Sequence, residues 1–137
     1  MNKTVAEKTL SIIKPDAVER NLENDIKNFF EKNNLVILKG KKVKISREEA
    51  SEFYKVHQTK PFYNDLCNYL SSGPIVVMIL EGENAVTKNR ELMGATDPNK
   101  AEEGTLRRMY GLSIDKNSVH GSDSASNGKI EIDFFFK

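Results

Sequence analysis

The stretch "IVVMIL", residues 75–80, decides the fold of this chain. It is aliphatic throughout, it contains β-branched side chains, and the turn-forming "SSGP" (71–74) precedes it. A short, continuous apolar run of this kind is typical of a strand that is buried on both faces. We therefore expect residues 75–80 to form a central strand of a sheet.

Towards the N-terminus, a strand pattern leads directly into a helical one. "TLSII" (9–13) alternates, with Leu10 and Ile12 on one face, and predicts a strand. Pro15 suits the first turn of a helix, where the N–H that it lacks would have no partner within the helix. The pair "NN" (33–34) ends this helix. Apolar residues recur within it at helical spacing: Val18, Leu22, Ile26, Phe29 and Phe30.

The remaining patterns complete an α+β order. "LVIL" (35–38) predicts a buried strand that Gly40 breaks or bulges, and Asn84 can cap a helix that Gly94 ends. Strands and helices in this order favour an antiparallel or mixed sheet with helices packed on it. We expect a ferredoxin-like βαββαβ core, with a four-stranded antiparallel sheet covered by helices. No repeat or linker interrupts the chain, so we expect one domain over residues 1–137.

The C-terminal pattern has two interpretations. Apolar residues alternate over 130–136, which favours a strand. Ser122 or Asp123 could instead cap a helix that runs through Ala125 and Ile130. The pattern alone does not choose between them.

Composition indicates a soluble globular protein. Hydrophobic residues make up 38% of the chain and charged residues 30%, and the formal net charge is +1. Cys67 is the single cysteine, so no intrachain disulfide can form, and we expect a reducing compartment, the cytoplasm. The apolar runs are too short to span a bilayer, and residues 1–15 lack the apolar core of an export signal.

One basic run, "KGKKVK" (39–44), raises the question of a nucleic-acid partner. We interpret it as a solvated turn and strand face, since a near-neutral chain has no general attraction for nucleic acid or membrane. The alternative is a ferredoxin-like binding domain for RNA or another effector. The central strand, "IVVMIL" (75–80), contains no aromatic residue, which argues against an RNA-recognition domain.

The octapeptide "NSVHGSDS" (117–124) holds one of only two histidines. A neutral imidazole at His120 could attack a phosphoryl group or act as a base. Gly121 would let backbone approach a ligand closely, and Asp123 could orient the ring. The competing interpretation is an ordinary loop histidine, and we interpret His57, late in a helical pattern, as structural or surface-exposed.

Cationic residues suggest which chemical group such a nucleophile would attack. No spacing of histidine and cysteine predicts a zinc site, and neither Gly-Lys pair fits a phosphate-binding P-loop. Arginine and lysine bind phosphate oxygens through a planar fork and a point charge, respectively. Together with His120 they suggest a triphosphate-binding site around a histidine nucleophile. The cations are Lys14, Arg90, Arg107 and Arg108.

Five ordered blocks resemble the nucleoside diphosphate kinases, over essentially the whole chain. They resemble the bacterial type with a short C-terminus, since the chain ends at "FFFK" (134–137). The blocks are "SIIKPDAV", "HQTKPFYNDL", "SGPIVVMILEGENAV", "MGATDP…GTLRRMY" and the octapeptide "NSVHGSDS".

The resemblance assigns a role to each matching residue. It implies that His120 is phosphorylated during turnover, that Lys14 contacts the ribose hydroxyl and the γ-phosphate, and that Phe62 stacks on the base. Asn117 would hydrogen-bond the ribose, and Glu131 would orient the imidazole. The phosphates would be held by Arg90, Thr96 and Arg107, and the supporting residues beside Glu131 would be Tyr54 and Ser122.

The resemblance also implies an activity. Such an enzyme moves the γ-phosphate of a nucleoside triphosphate, mainly ATP, to a nucleoside diphosphate by a ping-pong mechanism through phosphohistidine, with broad base and sugar tolerance. Mg²⁺ would ride on the nucleotide phosphates, with no metal site in the protein itself. The chain would form a homo-oligomer built on a common dimer, with a tetramer favoured, and would need neither membrane nor nucleic acid. A helix over 124–133 is implied as well.

Overall fold

An antiparallel sheet organises the part of the chain that the computed structural model describes, residues 6–114 and 116–136. The sheet order is β2-β3-β1-β4, so β1 and β3 lie in the middle. The expected α+β class and four-stranded antiparallel sheet are confirmed. The strands are β1 (Ala6–Ile13), β2 (Val36–Val43), β3 (Ile75–Glu83) and β4 (Val119–Gly121).

Helices pack on both faces of this sheet. No helix among the described residues is long and apolar enough to cross a membrane. Residues 1–5 of the segment interpreted above as lacking an export signal lie outside the described residues. The helices are α1 (Pro15–Glu19), α2 (Glu23–Lys32), α3 (Arg47–Phe53), α4 (Tyr63–Leu70), α5 (Ala85–Met93), α6 (Leu106–Tyr110) and α7 (Ala125–Phe136), with 3₁₀ turns at Lys55–His57 and Pro98–Lys100.

The central strand β3 is buried on both faces, as predicted. Ile75 and Val77 point into a core that also holds residues of α3, α4 and α7. Val76 and Met78 point into the opposite core, shared with α2, α5 and α6. Each of these four side chains is at most 1% exposed, and full burial of one such side chain stabilises the fold by roughly 1.5–3 kcal/mol.

The strand predicted over 35–38 is confirmed from Val36 onward, but the prediction that it is buried holds for Leu35 and not for Val36 and Leu38. β2 lies at the edge of the sheet, where Val36 is 57% exposed and Leu38 is 42% exposed. The bulge falls at Leu38, between Ile37 and Lys39, whereas Gly40 pairs in register with Met78. An apolar run does not distinguish a central strand from an edge strand, because that difference depends on which neighbours the fold supplies.

The single helix expected from Pro15 onward is divided into α1 and α2. Asn21 lies between them with a φ of 61°, in the left-handed region that asparagine adopts more readily than most residues. The Leu22 N–H still donates to the Ala17 carbonyl at 3.0 Å, so the apolar face continues across the break. Helical spacing alone therefore does not reveal that the helix is interrupted at Asn21.

The C-terminal alternative is settled in favour of a helix, α7, and the strand interpretation is wrong. The Ser124 hydroxyl accepts from the Asn127 N–H at 3.1 Å, whereas Ser122 and Asp123 make no such capping bond. The implied helix is confirmed and continues to Phe136.

The basic run 39–44 forms an exposed face of β2. Its lysines are exposed, and Lys42 pairs with Glu23 at 2.9 Å. Lys41 donates to the Phe135 carbonyl at the end of α7. This agrees with the interpretation as a solvated strand face. Because β3 is covered on both sides, its central residues offer no exposed surface for stacking bases.

Helix α5 begins with a capping bond from a distant strand. Asn84 holds the expected N-cap position with a φ of 52°, but its side chain makes no capping bond. Instead, a carboxylate oxygen of Glu7 on β1 accepts from the Val86 N–H at 2.9 Å. A negative charge at a helix N-terminus also interacts favourably with the helix dipole.

We expect Glu7→Ala to lower the free energy of unfolding by about 1 kcal/mol, the usual effect of removing a helix cap. Glu7→Gln keeps an acceptor oxygen and should lose less. Chemical denaturation of the two variants measures the difference, with Glu83→Ala on the paired strand as an exposed control. Equal stability of Glu7→Ala and the unaltered protein would contradict the capping role.

Candidate active site

His120 lies in the middle of β4, where it pairs with Ile12 of β1. Its Nε2 is 3.0 Å from Oε1 of Glu131 on α7, and its side chain is 21% exposed. An ionised carboxylate only accepts hydrogen bonds, so Nε2 carries the proton that faces it. In the neutral ring this leaves the lone pair on Nδ1, which is then the ring atom that could act as a nucleophile.

The same Glu131 oxygen is held by a second donor. The Ser122 hydroxyl donates to Oε1 at 2.9 Å and accepts from the Leu10 N–H on β1 at 3.3 Å. Ser122 is fully buried. The carboxylate that faces the imidazole is thereby fixed to the sheet as well as to its own helix. Asp123 bonds Asn127 instead, at 2.6 Å, and does not orient His120 as the sequence suggested.

Aromatic rings enclose the other side of the imidazole. The Tyr54 ring lies 6.4 Å from it, at an interplanar angle of 85°. Burial raises the pKa of Tyr54, and the Glu131 charge raises it further, so the phenol stays neutral. Phe53 lies closer, at 5.3 Å, edge to face. No motif pointed to Phe53, because helical spacing does not reveal which apolar residue meets a functional group.

Lys14, Asn117 and Thr96 form one connected group. The Lys14 ammonium donates to the Asn117 side-chain oxygen at 2.9 Å, and both residues are buried. The Asn117 amide donates to the Thr96 carbonyl at 3.1 Å. Thr96 itself is exposed, so its hydroxyl is accessible to a ligand. Three residues that are far apart in sequence therefore meet at this position.

Arg107 is anchored beside β4 by backbone carbonyls. It donates to the Gly94 and Val119 oxygens at 3.1 Å and 2.9 Å. Burial lowers the pKa of Arg107 to about 10, and the positive charge of Arg90 contributes, yet the guanidinium remains charged at neutral pH. The exposed Arg90 also lowers the pKa of Asp123, after the larger effect of the Asn127 hydrogen bond. Two arginines whose charges repel each other provide a suitable environment for an anion.

Phe62 forms an exposed platform at the start of α4. Its side chain is among the exposed large apolar ones, at 42%. The Lys60 ammonium lies 5.7 Å from the ring centroid, and the His57 ring lies 6.3 Å away. Burial lowers the pKa of His57, and the charge of Lys60 lowers it further. His57 thus lies beside the site, at 6.2 Å from Tyr54, a position that its place in the sequence did not indicate.

The expectation that Gly121 clears space for a ligand is wrong. A Cβ added there would lie 2.3 Å from the Asn89 amide nitrogen and 2.7 Å from the Met93 methyl group, both on α5. The glycine therefore allows α5 to pack tightly against β4. Its role is to position the strand that carries His120.

A family model that matches most of the chain gives evidence on the kind of protein, independent of the site geometry. The model described as nucleoside diphosphate kinase covers residues 7–137. The chain is 58% identical over 130 residues to a nucleoside diphosphate kinase of a Nitratiruptor species, covering 95% of each sequence. A nucleoside diphosphate kinase of Campylobacter jejuni is 58% identical over 131 residues, covering 96% of each.

Solved structures are similar throughout. The Aquifex aeolicus nucleoside diphosphate kinase has a TM-score of 0.94 at 38% identity, covering 97% of this chain and 96% of that one. A halophilic nucleoside diphosphate kinase from Halobacterium salinarum, solved in complex with CDP, has a TM-score of 0.92 at 39% identity, covering 97% and 89%.

Substitution of Gly121 tests its packing role. We expect Gly121→Ala to lower the free energy of unfolding by about 1–3 kcal/mol, the usual cost of overpacking, and to reduce activity by displacing β4. Gly121→Ala combined with Asn89→Ala removes the closest contact and should recover part of both losses. Thermal unfolding and activity of the single and double variants measure this. Wild-type behaviour of Gly121→Ala would show that β4 and α5 have room to separate.

Proposed function

The chain belongs to the nucleoside diphosphate kinase family, and we propose that His120 is the nucleophile through which it works. The family's reaction moves the γ-phosphate of a nucleoside triphosphate to a nucleoside diphosphate. The observation that carries the proposal is the 3.0 Å contact between Nε2 of His120 and Glu131, because it leaves Nδ1 as the nucleophilic atom.

The reaction proceeds in two phosphoryl-transfer steps. Nδ1 attacks the γ-phosphorus, a P–N bond forms, and the P–O bond to the leaving diphosphate breaks. A second diphosphate then binds, its terminal oxygen attacks the same phosphorus, and the P–N bond breaks. Splitting the transfer in this way gives ping-pong kinetics. As the ring gains positive charge in the first step, the Glu131 carboxylate stabilises it through the Nε2–H.

Phosphoryl transfer depends chiefly on positioning and charge stabilisation, which the cations around His120 supply. Arg107 is held rigidly by two carbonyls, and Arg90 extends into solvent beside it. Lys14 and Asn117 would meet the ribose and the γ-phosphate, and the exposed Thr96 would add a hydroxyl. Each of these roles is part of the proposal.

Phe62 would hold the base by stacking. Every base has a π-face, so an exposed ring accepts all of them without reading their edges. The 42% exposure of the Phe62 side chain supports this role. Broad base tolerance follows from this mode of binding. The Halobacterium salinarum relative was solved in complex with CDP, which is a pyrimidine nucleotide.

Mg²⁺ would be held by the substrate. Among residues 6–114 and 116–136, no group of three or more histidine, cysteine or acidic side chains could hold a metal ion. Glu131 is already engaged by His120 and Ser122. An ion bound to phosphate oxygens would neutralise charge on the transferred group.

Domain organisation, assembly and location complete the proposal. Residues 1–137 would form one domain, supported by a family model that covers 7–137.

The chain would form a homo-oligomer with a tetramer favoured. The exposed apolar side chains of Val36 and Leu38 on the edge strand support self-association. A cytoplasmic location fits the single buried thiol of Cys67.

Labelling tests the nucleophile. We expect γ-labelled ATP to give the protein an acid-labile, base-stable phosphate, because phosphohistidine has that stability. His120→Ala should abolish both the label and its transfer to a diphosphate. His57→Ala, which removes the other histidine, is the matched control and should retain the label. Normal turnover by His120→Ala would refute the mechanism.

Substitution of Phe62 tests the stacking platform. We expect Phe62→Ala to weaken nucleotide binding by about 1–3 kcal/mol, the contribution of one base–aromatic stack. The loss should be similar for adenine, guanine, cytosine and uracil nucleotides, and Phe62→Tyr should retain binding. Calorimetric titration with four diphosphates measures it, and a loss confined to one base would contradict stacking as the mode of recognition.

A further inference from the structure

A strained turn separates Asn117 from the strand that carries His120. The Val119 N–H donates to the Asn117 carbonyl at 2.9 Å, and Ser118 between them has a φ of 73°. These features describe a γ-turn of the rare form, in which the central residue lies in a region that non-glycine residues avoid. Strain of this kind persists only where surrounding contacts maintain it.

A buried carboxylate supplies such a contact. The Ser118 hydroxyl donates to Oδ2 of Asp16 at 2.8 Å, and Arg20 donates to the same oxygen at 3.1 Å. The Tyr69 hydroxyl donates to the other oxygen, Oδ1. Asp16 is 5% exposed and Ser118 is fully buried, so solvent is a poor substitute for this bond. We call these four residues the Asp16 cluster.

The turn is also bonded to Lys14, on its other side. The Lys14 N–H donates to the Ser118 carbonyl at 2.8 Å, while the Lys14 ammonium donates to the Asn117 side chain at 2.9 Å. The conformation at Ser118 therefore sets the position of Asn117 relative to Lys14. His120 is held separately, by β1 and by Glu131.

We propose that Ser118 is a positioning residue, whose hydroxyl, anchored on Asp16, holds the γ-turn that places Asn117 and Lys14 for the nucleotide. This rests on the proposed function, in which those two residues bind the substrate. A hydrogen bond to a charged group is stronger than one between neutral groups, so the carboxylate can stabilise a conformation that serine otherwise disfavours. Loss of the bond would displace the nucleotide contacts and leave the nucleophile in place.

The experiment compares two substitutions of the same residue. Ser118→Ala removes the hydroxyl and keeps the backbone strain, whereas Ser118→Gly removes both, because glycine adopts positive φ freely. Tyr69→Phe, the control, removes a different donor to Asp16 and leaves the bond to Ser118. For each full-length variant, the KM for ATP, kcat and the thermal unfolding midpoint are measured.

A probe without a nucleoside reports on His120 and the transferred phosphoryl group, without the ribose contact of Asn117. In phosphoramidate, the bond from phosphorus to nitrogen breaks and ammonia leaves as the bond to the imidazole forms, so no base or ribose takes part. We expect Ser118→Ala to raise the KM for ATP about tenfold, the effect of one weakened hydrogen bond, while phosphoramidate labelling is unchanged. Ser118→Gly should recover most of the KM, because glycine adopts the turn without the bond to Asp16, whereas Tyr69→Phe should keep the wild-type KM although it loses a hydrogen bond to the buried Asp16.

Three results would overturn the proposal: a wild-type KM in Ser118→Ala, no recovery of KM in Ser118→Gly, or an equal rise of KM in Tyr69→Phe. If Ser118 only stabilised the fold, the change in the KM for ATP would follow the change in the thermal unfolding midpoint in all three variants. Failure of the proposed function would be seen separately, as an unaltered protein that ATP does not label on His120.

Discussion

The pairing of β1 with β4 is the constraint on which the active site depends. Only three residue pairs form this ladder, and the middle pair joins Ile12 to His120. Strand β1 is itself fixed by its long pairing with β3, so His120 is attached to the most deeply buried part of the sheet. The imidazole therefore lies on a rigid element, which restricts the directions that Nδ1 can face.

Charge around this strand is divided between two environments. Under the proposed function, Lys14, Arg90 and Arg107 would supply positive charge to the substrate. On the opposite side of the imidazole, Glu131 supplies a negative charge that two donors hold in place. Under the proposed function, the carboxylate orients the ring while the cations stabilise the anionic group that is transferred.

Part of this was predictable from sequence, and the reason differs from residue to residue. The apolar run 75–80 identified the central strand, because burial on both faces leaves no position for a polar side chain. The octapeptide around His120 identified the family through its specific order of polar residues, although Ser118 and Ser122 within it are fully buried. Local patterns of this kind are readable because each residue's neighbours in sequence reveal its environment.

Other features depend on contacts that sequence does not display. The exposure of Leu38 follows from the position of β2 at the sheet edge, and the break at Asn21 follows from one backbone angle. Gly121 serves α5 and not a ligand, which only the distances to Asn89 and Met93 reveal. The Asp16 cluster joins residues roughly a hundred positions apart, so no local spacing could indicate it.

The same long separations bear on how the protein folds. The bond between Leu10 and Ser122 closes a loop of 112 residues, and such distant contacts form late because the chain must first lose the entropy of closing the loop. Orientation of His120 requires β1, β4 and α7 together. A partly folded chain with β1 and β3 already paired would therefore be catalytically silent, and the recovery of activity during refolding would report the last closure of the topology, not the collapse of its core.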